Sequence, residues 1–513
     1  DRVVRNYINA TETGRAMVAT PGHQILLKEK ALLWDLSTNA AAATEPFASR
    51  GVADYTVVQA EDGKPNGTFL LAKPADNANF KANVEMFAKS FDGNRNKAYA
   101  TWQYFGSPVK NADRNQLPLE TTWVRKYDRT LNVPNSDEKW TDVDNGTLAQ
   151  GQAYEISQPK PATYRFIGEL NTADFTFPVD GMASATNYQD MNILANPYTG
   201  AMSIDKLDFS GATAAEKVVY LFNTGSRKDW IANSGPTTNG TTQGQYTKAI
   251  PTNLAGHVAG MPNQIPSLSS FMVKSTAAGN LKYRYADLVT ATEENRAPER
   301  RFHSLAVDVE SAKTADRLWL VQAEGTTDRY DNGWDGEKIF APGEAALYAM
   351  QDRSYQVTTT DAIGETKVGF VPGDGEQNYK LTFHLDGGDG TQQYTLLDKR
   401  TGLTRAIHDG DTYEFTATKG DAAHRFTILG NGAKATADQR GFQISADLRR
   451  NFTVKNFTDQ PAEALVFDAA GKIQARFTVE PGSENTGTVV MPGAYVVRVS
   501  NKVTTLTQRF VMP

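Results

Sequence analysis

Short runs in which hydrophobic and polar residues alternate recur along most of the chain, and long stretches with helical periodicity are rare. A period of two is typical of strands that bury one face. Between residues 301 and 432, turns rich in Gly and Asp separate seven such runs. These runs are Arg317–Val321, Ala346–Met350, Lys367–Val371, Tyr379–Leu385, Gln393–Asp398, Tyr413–Ala417 and His424–Leu429. The pattern predicts an all-β protein built from serial antiparallel β-sandwich domains.

The alternating runs and the turns between them divide the chain into four predicted parts. These parts are an N-terminal β-rich segment at 1–97, a duplicated β-sandwich region at 98–300, a β-sandwich at 301–432 and a small domain at 440–513. In the first part Gln24–Leu27, Ala31–Leu36 and Thr68–Leu71 predict strands, and a weak period over Lys81–Phe91 predicts a short helix. Residues 433–441 are the predicted linker into the last part.

Three pairs of segments in residues 98–300 match in residue type and in order, which predicts two copies of one unit at about 98–180 and 186–300. The pairs are Trp102–Val109 with Met191–Tyr198, Val124–Asp128 with Val219–Asn223, and Gly151–Ser157 with Leu268–Lys274. Pro108 falls opposite Pro197, and Trp140 falls opposite Trp230. We therefore expect two related sandwiches with a common strand path.

Composition narrows the classes of function. At 513 residues the chain is too long for one hydrophobic core. The net charge of −6 is spread without a basic stripe, so nucleic acid is not an expected partner. The absence of cysteine excludes disulfides, a thiol nucleophile and zinc–thiolate sites. Because the chain begins at Asp1 without an initiator Met, we expect a mature product or a C-terminal fragment.

The last residues predict a β-hairpin and an adjacent turn. Gly493–Val499 and Thr505–Val511 form its two strands, and Tyr495, Val497 and Val499 share one face. Upstream, the turn Asp468–Lys472 carries Gly471, which suits a change of chain direction between two alternating runs.

Together these segments resemble the C-terminal sorting domain of proteins exported by the Bacteroidetes type IX secretion system. That family shows a D-x-x-G-[KR] turn, a G-x-Y-x-V-x-V strand and a final basic-apolar strand. Its frequent opening Asn-Pro segment is replaced here by Arg450–Val454. The resemblance implies an immunoglobulin-like fold for residues 440–513. It also implies a sorting signal that comprises Asp468, Gly471, Lys472, Gly493, Tyr495, Val497, Arg498 and Val499.

Two upstream patterns resemble the modules that precede sorting domains in very large Bacteroidetes surface proteins. One is the matched unit of residues 98–300, and the other is Leu397–Gly402 with the Tyr-x-Phe-x-Ala and Arg-Phe strands that follow it. The resemblance implies an extracellular or outer-surface location. The implied partners are the type IX machinery and its outer-membrane shuttle, surface lipopolysaccharide, and further copies of the protein or host glycans.

The function expected from this resemblance is that of a non-enzymatic adhesin, surface-layer or filament component. One alternative is the ancillary part of a secreted enzyme whose catalytic domain lies upstream of Asp1. A glycan-binding module is the other, because exposed aromatic rings can stack on sugars. The candidate aromatic residues are Trp123, Trp140, Trp230 and Trp334.

Candidate catalytic and metal-binding residues are sparse. No two of the six histidines have a metal-ligand spacing, and no G-x-S-x-G elbow is present, so no catalytic residue is expected. His384 lies between Phe383 and Leu385 and is predicted to face away from the core.

Two acidic clusters offer the oxygen ligands that calcium prefers, although such residues are also common in turns. The clusters comprise Asp328, Asp331, Asn332 and Asp335, and Asp374, Asp386 and Asp389. No cofactor is expected, with calcium as the alternative.

Overall fold

A computed structural model describes most of the chain, in the following ranges: 17–27, 56–93, 95–96, 100–134, 136–181, 188–224, 245–290, 302–388, 390–430, 441–446, 450–458, 460–502 and 505–512. The chain divides into two units. Unit 1 comprises Asp1–Arg300 and Asn332–Trp334, and unit 2 comprises Arg301–Asp331 and Asp335–Pro513. The predicted strand Ala31–Leu36, Trp230 and nearly all of the predicted linker lie outside the described ranges.

The described residues are all-β, which confirms the predicted fold class at that level. Unit 1 contains β1 Met17–Ala19, β2 Gln24–Leu27, β3 Thr56–Val58, β4 Thr68–Leu71, β5 Lys81–Ala88, β6 Gln103–Phe105, β7 Ala112–Asp113, β8 Trp123–Tyr127, β9 Trp140–Asp142, β10 Thr147–Leu148, β11 Tyr154–Ser157, β12 Ala162–Glu169, β13 Phe175–Val179, β14 Met191–Ala195, β15 Ala201–Ser203, β16 Asp208–Gly211, β17 Val218–Asn223, β18 Gln245–Pro251, β19 Gln264–Ile265, β20 Ser270–Lys274, β21 Gly279–Tyr283 and β22 Leu288–Val289.

Unit 2 continues in the same way. It contains β23 His303–Glu310, β24 Ala315–Gln322, β25 Gly336–Glu337, β26 Ala346–Met350, β27 Ser354–Thr360, β28 Glu365–Val371, β29 Asn378–Asp386, β30 Tyr394–Asp398, β31 Leu403–Ile407, β32 Thr412–Thr416, β33 His424–Gly430, β34 Phe442–Ala446, β35 Asn451–Asn456, β36 Ala462–Asp468, β37 Ile473–Val479, β38 Glu484–Thr488, β39 Gly493–Ser500 and β40 Thr505–Met512. Short 3-10 turns lie at Ala75–Asn77, Arg114–Gln116, Ser136–Lys139, Ile204–Lys206 and Tyr285–Asp287. Within the described ranges, no helix is long and apolar enough to cross a bilayer.

Two four-stranded sheets of unit 1 share one strand order. The first is β6-β11-β8-β9 and the second is β14-β20-β17-β18. In each sheet the strand that comes first in the sequence pairs with the strand that comes last. The last strand then pairs with the second strand, and the second pairs with the third. The three matched sequence segments lie on β6 and β14, on β8 and β17, and on β11 and β20. This shared order is what a duplication requires. The predicted domain boundaries and the superposition of Pro108 on Pro197 stay predictions.

The two sheets approach closely at Gly106, just after β6. Its backbone N–H donates to the carbonyl of Leu268 at 2.8 Å, and the Ser270 hydroxyl donates to the Phe105 carbonyl at 3.0 Å. A Cβ on Gly106 would lie 2.3 Å from the Cβ of Ala195, closer than two carbon atoms can pack. The absence of a side chain at Gly106 therefore allows this contact.

The short helix predicted over Lys81–Phe91 is wrong, because β5 is a strand there. It pairs with β12 over eight residues, from Lys81 opposite Glu169 to Ala88 opposite Ala162. Val84 and Met86 on one face are buried, and so are Asn83 and Glu85 on the other. A strand that is buried on both faces loses the alternation of period two that a sequence pattern can reveal.

One eleven-stranded sheet occupies residues 303–430, and each of the seven predicted runs overlaps one of its strands. Its order is β31-β30-β33-β28-β26-β27-β24-β23-β29-β32, with β25 paired to β27. Four strands separate β28 from β29 in this order. Nevertheless, Phe370 on β28 and Tyr379 on β29 have ring centroids 4.8 Å apart. The sheet therefore curls over itself and encloses a hydrophobic core.

The described residues from 441 onward form two smaller sheets with a core of their own. The sheets are β34-β35-β38 and β37-β36-β39-β40. Phe452, Val466 and Val497 are each 0% exposed in that core, which shares no residue with the core of the eleven-stranded sheet. This region is a small β-sandwich. Its immunoglobulin-like topology and its role as a sorting domain stay predictions.

Candidate functional site

The terminal hairpin buries one face of β39 in the core of the small sandwich. Strands β39 and β40 pair over eight residues, from Gly493 opposite Met512 to Ser500 opposite Thr505. Tyr495, Val497 and Val499 are 5%, 0% and 0% exposed. These three predicted sorting residues therefore hold the domain together.

Tyr495 is fixed by two contacts. Its hydroxyl donates to the carbonyl of Met491 at 2.6 Å. Its ring meets Phe452 edge to face, with centroids 5.8 Å apart. Tyr495 thus joins β39 to β35 in the opposite sheet.

The turn between β36 and β37 is held by Asp468. Its Oδ1 accepts the backbone N–H groups of Ala470 at 2.9 Å and Lys472 at 3.0 Å. Led by the bond from Lys472, these hydrogen bonds lower the pKa of Asp468 below its usual value. Gly471 has φ +80°, a conformation that favours glycine. The side chain of Asp468 therefore stabilises the turn, while Lys472 is exposed.

The structure brings part of the predicted signal together at one end of a sheet. Asp468 lies opposite Tyr495 in the pairing of β36 with β39, so the turn and the start of β39 are neighbours. Arg498 is exposed and lies further along β39, opposite Leu465. Among the charged residues of the predicted signal, Lys472 and Arg498 are exposed and Asp468 is half-buried. Recognition of the signal by an export apparatus stays a prediction.

Exposed apolar residues that the sequence reasoning did not single out lie in the same sandwich. Val490 and Met491, just before β39, are 83% and 67% exposed, and Val511 on β40 is 83% exposed. Val490 and Met491 continue an apolar run from the buried Val489, and Val511 lies between Phe510 and Met512. A hydropathy pattern assigns such runs to the core, so only the structure reveals that these three residues are exposed. Such residues add apolar contact area to the domain surface.

The aspartates of the first acidic cluster use their oxygens within the fold of unit 2. Asp331 Oδ2 accepts the backbone N–H of Thr327 at 2.6 Å, and Asp335 Oδ1 accepts that of Thr359 at 2.6 Å. Burial raises the pKa of Asp335 to about 6. In the second cluster Asp374 pairs with Lys419 at 2.7 Å, and Asp389 lies outside the described residues. Across the ranges that the structure describes, no group of three or more His, Cys, Asp or Glu is placed to hold a metal ion.

The candidate aromatic residues do not form one surface. Trp140 is 7% exposed and packs on Tyr104, with centroids 4.7 Å apart. Trp123 is half-buried, stacked on Trp102 at 6.4 Å and covered by the guanidinium of Arg95 at 4.6 Å. Trp230 lies outside the described ranges.

Trp334 lines a cavity of unit 1 of about 760 Å³. Asp205, Phe209, Lys217 and His257 are among the other lining residues. The lining mixes charged, polar and aromatic groups, a composition that binding pockets for small molecules can have.

His384 is half-exposed and is bound to a charged partner. Its Nε2 lies 3.0 Å from Asp308 Oδ2, and Arg317 Nε lies 2.5 Å from the other oxygen of that carboxylate. Burial alone would raise the pKa of Asp308, but the hydrogen bonds from Arg317 and His384 hold it below its usual value. The three side chains cross-link β23, β24 and β29.

We predict that His424 makes the stability of unit 2 sensitive to acid. Burial, with the positive charges of Lys399 and Lys367, lowers the pKa of His424 from 6.5 to about 4. The unfolded chain therefore takes up a proton first, and the free energy of unfolding falls as pH falls from 6.5 to 4. In thermal unfolding over this range, His424→Gln should show a smaller loss of Tm than wild type.

The control is His408→Gln, because the side chain of His408 is 77% exposed. This variant should keep the pH dependence of the wild type. An unchanged pH profile in His424→Gln would contradict the prediction.

A buried ion pair that the sequence reasoning missed links β8 to β11. Nε of Arg125 contacts Oε1 of Glu155, directly across the strand pair, and the two side chains are 9% and 2% exposed. The guanidinium of Arg125 also lies over Trp102, 4.0 Å from the ring centroid. Burial raises the pKa of Glu155 to about 8, against the opposite effect of Arg125. The pair therefore stabilises the sheet only while both partners are present.

Sequence comparison places most of the chain in one family. Residues 76–429, well over half of the chain, match the family described as "Domain of unknown function (DUF8693)", and the chain belongs to that family. It is also similar to the minor fimbrium subunit Mfa5 of Porphyromonas gingivalis. The two are 30% identical over 481 residues, which cover 89% of this chain and 38% of that relative. The chain thus spans less than half of the length of the relative.

Comparison with solved structures adds two distant likenesses. A β-glucuronidase of Faecalibacterium prausnitzii matches with 13% identity over 26% of this chain and 37% of its own, at a TM-score of 0.14. The BSP domain of a biofilm-associated protein matches with 8% identity over 81% and 96% of the two chains, at a TM-score of 0.12. With TM-scores this low, neither structure informs the fold or the function of this chain.

Proposed function

We propose that the chain is a structural segment of a fimbrial subunit, displayed on the outer surface of the cell, and that it acts in filament assembly rather than in catalysis. The similarity to a minor fimbrium subunit, 30% identity over 481 residues, carries this proposal. Because that similarity covers 89% of the chain, it cannot be confined to one of the small sheets. The expected partners are further filament subunits, including copies of the same protein.

Export by type IX secretion is the second part of the proposal. It is supported by the resemblance of the Asp468–Lys472 turn and the Gly493–Val499 strand to a sorting domain, and by the compact sandwich that carries both. The machinery and its outer-membrane shuttle would contact the exposed basic side chains of Lys472 and Arg498. Linkage to surface lipopolysaccharide would follow export.

Expression of the full-length gene in a type IX-competent host tests both parts of the proposal. The protein is located with an antibody against this chain. The wild type should label intact cells and should be enriched in filaments sheared from them. Deleting Gly493–Pro513 should leave the protein in the periplasm, because it removes β39 and β40. The double variant Lys472→Glu with Arg498→Glu should lower surface labelling severalfold without unfolding the sandwich.

The matched control reverses two other exposed basic residues of the same sandwich, Lys455→Glu with Arg476→Glu, and should reach the surface normally. Normal surface labelling of the deletion variant would contradict the sorting role. Surface protein that is absent from the sheared filaments would contradict the fimbrial role.

A further inference from the structure

The side chains of Asp316 and Lys338 form a charged pair inside the core of the eleven-stranded sheet. Nζ of Lys338 contacts Oδ2 of Asp316, and both side chains are 0% exposed. Asp316 lies near the start of β24, and Lys338 directly follows β25. An amine and a carboxyl group are therefore in contact where bulk water does not reach.

The face of β24 that carries Asp316 also carries residues of the hydrophobic core. Asp316 shares its face of β24 with Leu318 and Leu320, which are 0% and 1% exposed in the hydrophobic core. The backbone N–H of Leu347, another core residue, donates to Asp316 Oδ2 at 2.7 Å. The carboxyl group is thus fixed in position, with one of its oxygens held by a main-chain donor.

Burying the charges of Asp316 and Lys338 in a hydrophobic core costs free energy. Moving an ammonium and a carboxylate out of water costs free energy that their mutual attraction repays only with further hydrogen bonds. Transfer of one proton from Lys338 to Asp316 removes both charges and leaves a neutral amine beside a carboxylic acid. A neutral amine carries the lone pair that a nucleophile needs.

We propose that Lys338 and Asp316 condense into an intramolecular isopeptide bond between Nζ and Cγ. Nζ attacks Cγ and forms the C–N bond, while the negative charge that builds on Oδ2 is stabilised by the N–H of Leu347. The bond from Cγ to Oδ1 then breaks. Oδ1 leaves as water with the carboxyl proton and one proton from the nitrogen, so no oxidant, reductant or other reactant is required.

The fold supplies what this reaction needs. The strands hold the two groups in contact, which replaces a bimolecular encounter by an intramolecular one. The product is a neutral amide that buries no charge. The chain has no cysteine, so a disulfide cannot supply a covalent cross-link. An isopeptide bond gives this unit a link that is insensitive to reducing agents.

Mass spectrometry of the intact, denatured chain tests the proposal. The wild-type mass should be lower than the sequence mass by one water. A tryptic digest should yield one branched peptide that joins the segments around Asp316 and Lys338, with no cleavage after Lys338. The wild-type protein at its full sequence mass would overturn the proposal. So would a loss of water without the branched peptide, which would indicate another dehydration.

Variants give a chemical signature that simple burial cannot produce. Asp316→Asn should still form the bond but lose ammonia instead of water, and Lys338→Met should have its full sequence mass. The control is Lys380→Met, because the Lys380–Glu310 pair is exposed, at 42% and 40%. That variant should keep the loss of one water. Loss of water in Lys338→Met would overturn the proposal even if this variant folds poorly, since the variant lacks the amine that is proposed to attack.

Discussion

Replacing Tyr495 with Ala will destabilise the sandwich of residues 441–512 by about 3–5 kcal/mol, the usual cost of truncating a buried aromatic ring. The ring is 5% exposed, and it packs against Phe452 from the opposite sheet. A loss of this size approaches the whole stability of a small domain, about 5 kcal/mol. Hydrogen exchange of the full chain should show rapid exchange throughout β36 and β39, while the eleven-stranded sheet stays protected.

The matched variant for this prediction is Tyr495→Phe. It keeps the ring and loses the hydrogen bond to the Met491 carbonyl, at a cost of about 0.5–1.5 kcal/mol. Its exchange pattern should stay close to that of the wild type. Unchanged protection of β39 in Tyr495→Ala would show that the ring does not support the domain.

Replacing Arg125 with Met will destabilise unit 1 by about 3–5 kcal/mol, because it leaves Glu155 buried without its cation. The free energy of unfolding will also depend on pH, in the wild type as well as in the variant. The pKa of Glu155 in the folded chain lies above its ordinary value of 4.5, at about 8. The folded state therefore holds the proton longer, and the free energy of unfolding falls as pH rises from 4.5 to 8. Denaturant unfolding of the variant at both ends of this range measures the slope.

The double variant Arg125→Met with Glu155→Met is the decisive control. Replacing a buried ion pair by apolar residues is often neutral, so most of the stability should return and the slope should disappear. For comparison, Lys380→Met removes an exposed partner of Glu310 and should cost no more than about 1 kcal/mol. A single Arg125 variant as stable as the wild type would show that the pair contributes nothing.

Alternation of hydrophobic and polar residues predicted the all-β class well, because it directly reflects strands that bury one face. The run Tyr413–Ala417 is an example: Tyr413 and Phe415 are buried, and Glu414 between them is exposed. Alternation did not predict strand β5, because polar Asn83 and Glu85 are buried there as well as the hydrophobic residues. The curl of the large sheet depends on contacts between distant strands, which no local pattern contains.

The charged pairs of the interior were not predicted for a related reason. A sequence pattern treats Lys, Arg, Asp and Glu as exposed, and it is usually right. Arg125 and Glu155 occupy strand positions that a hydropathy pattern assigns to solvent. Asp316 and Lys338 are far apart along the chain, so only the folded sheet shows that they touch. By contrast, the terminal hairpin was predictable because both strands and their turn are contiguous.

The common strand order of the two four-stranded sheets makes their strands interchangeable in principle during folding. A growing chain with two similar units risks pairing β8 with β20 instead of β11. In the native sheets Arg125 lies opposite Glu155, and at the matched position Tyr220 lies opposite Met272. An exchanged pairing would place Arg125 against Met272 and bury a charge without its partner. The sequence differences between the two units therefore disfavour exchanged pairing and favour the pairing of each strand within its own sheet.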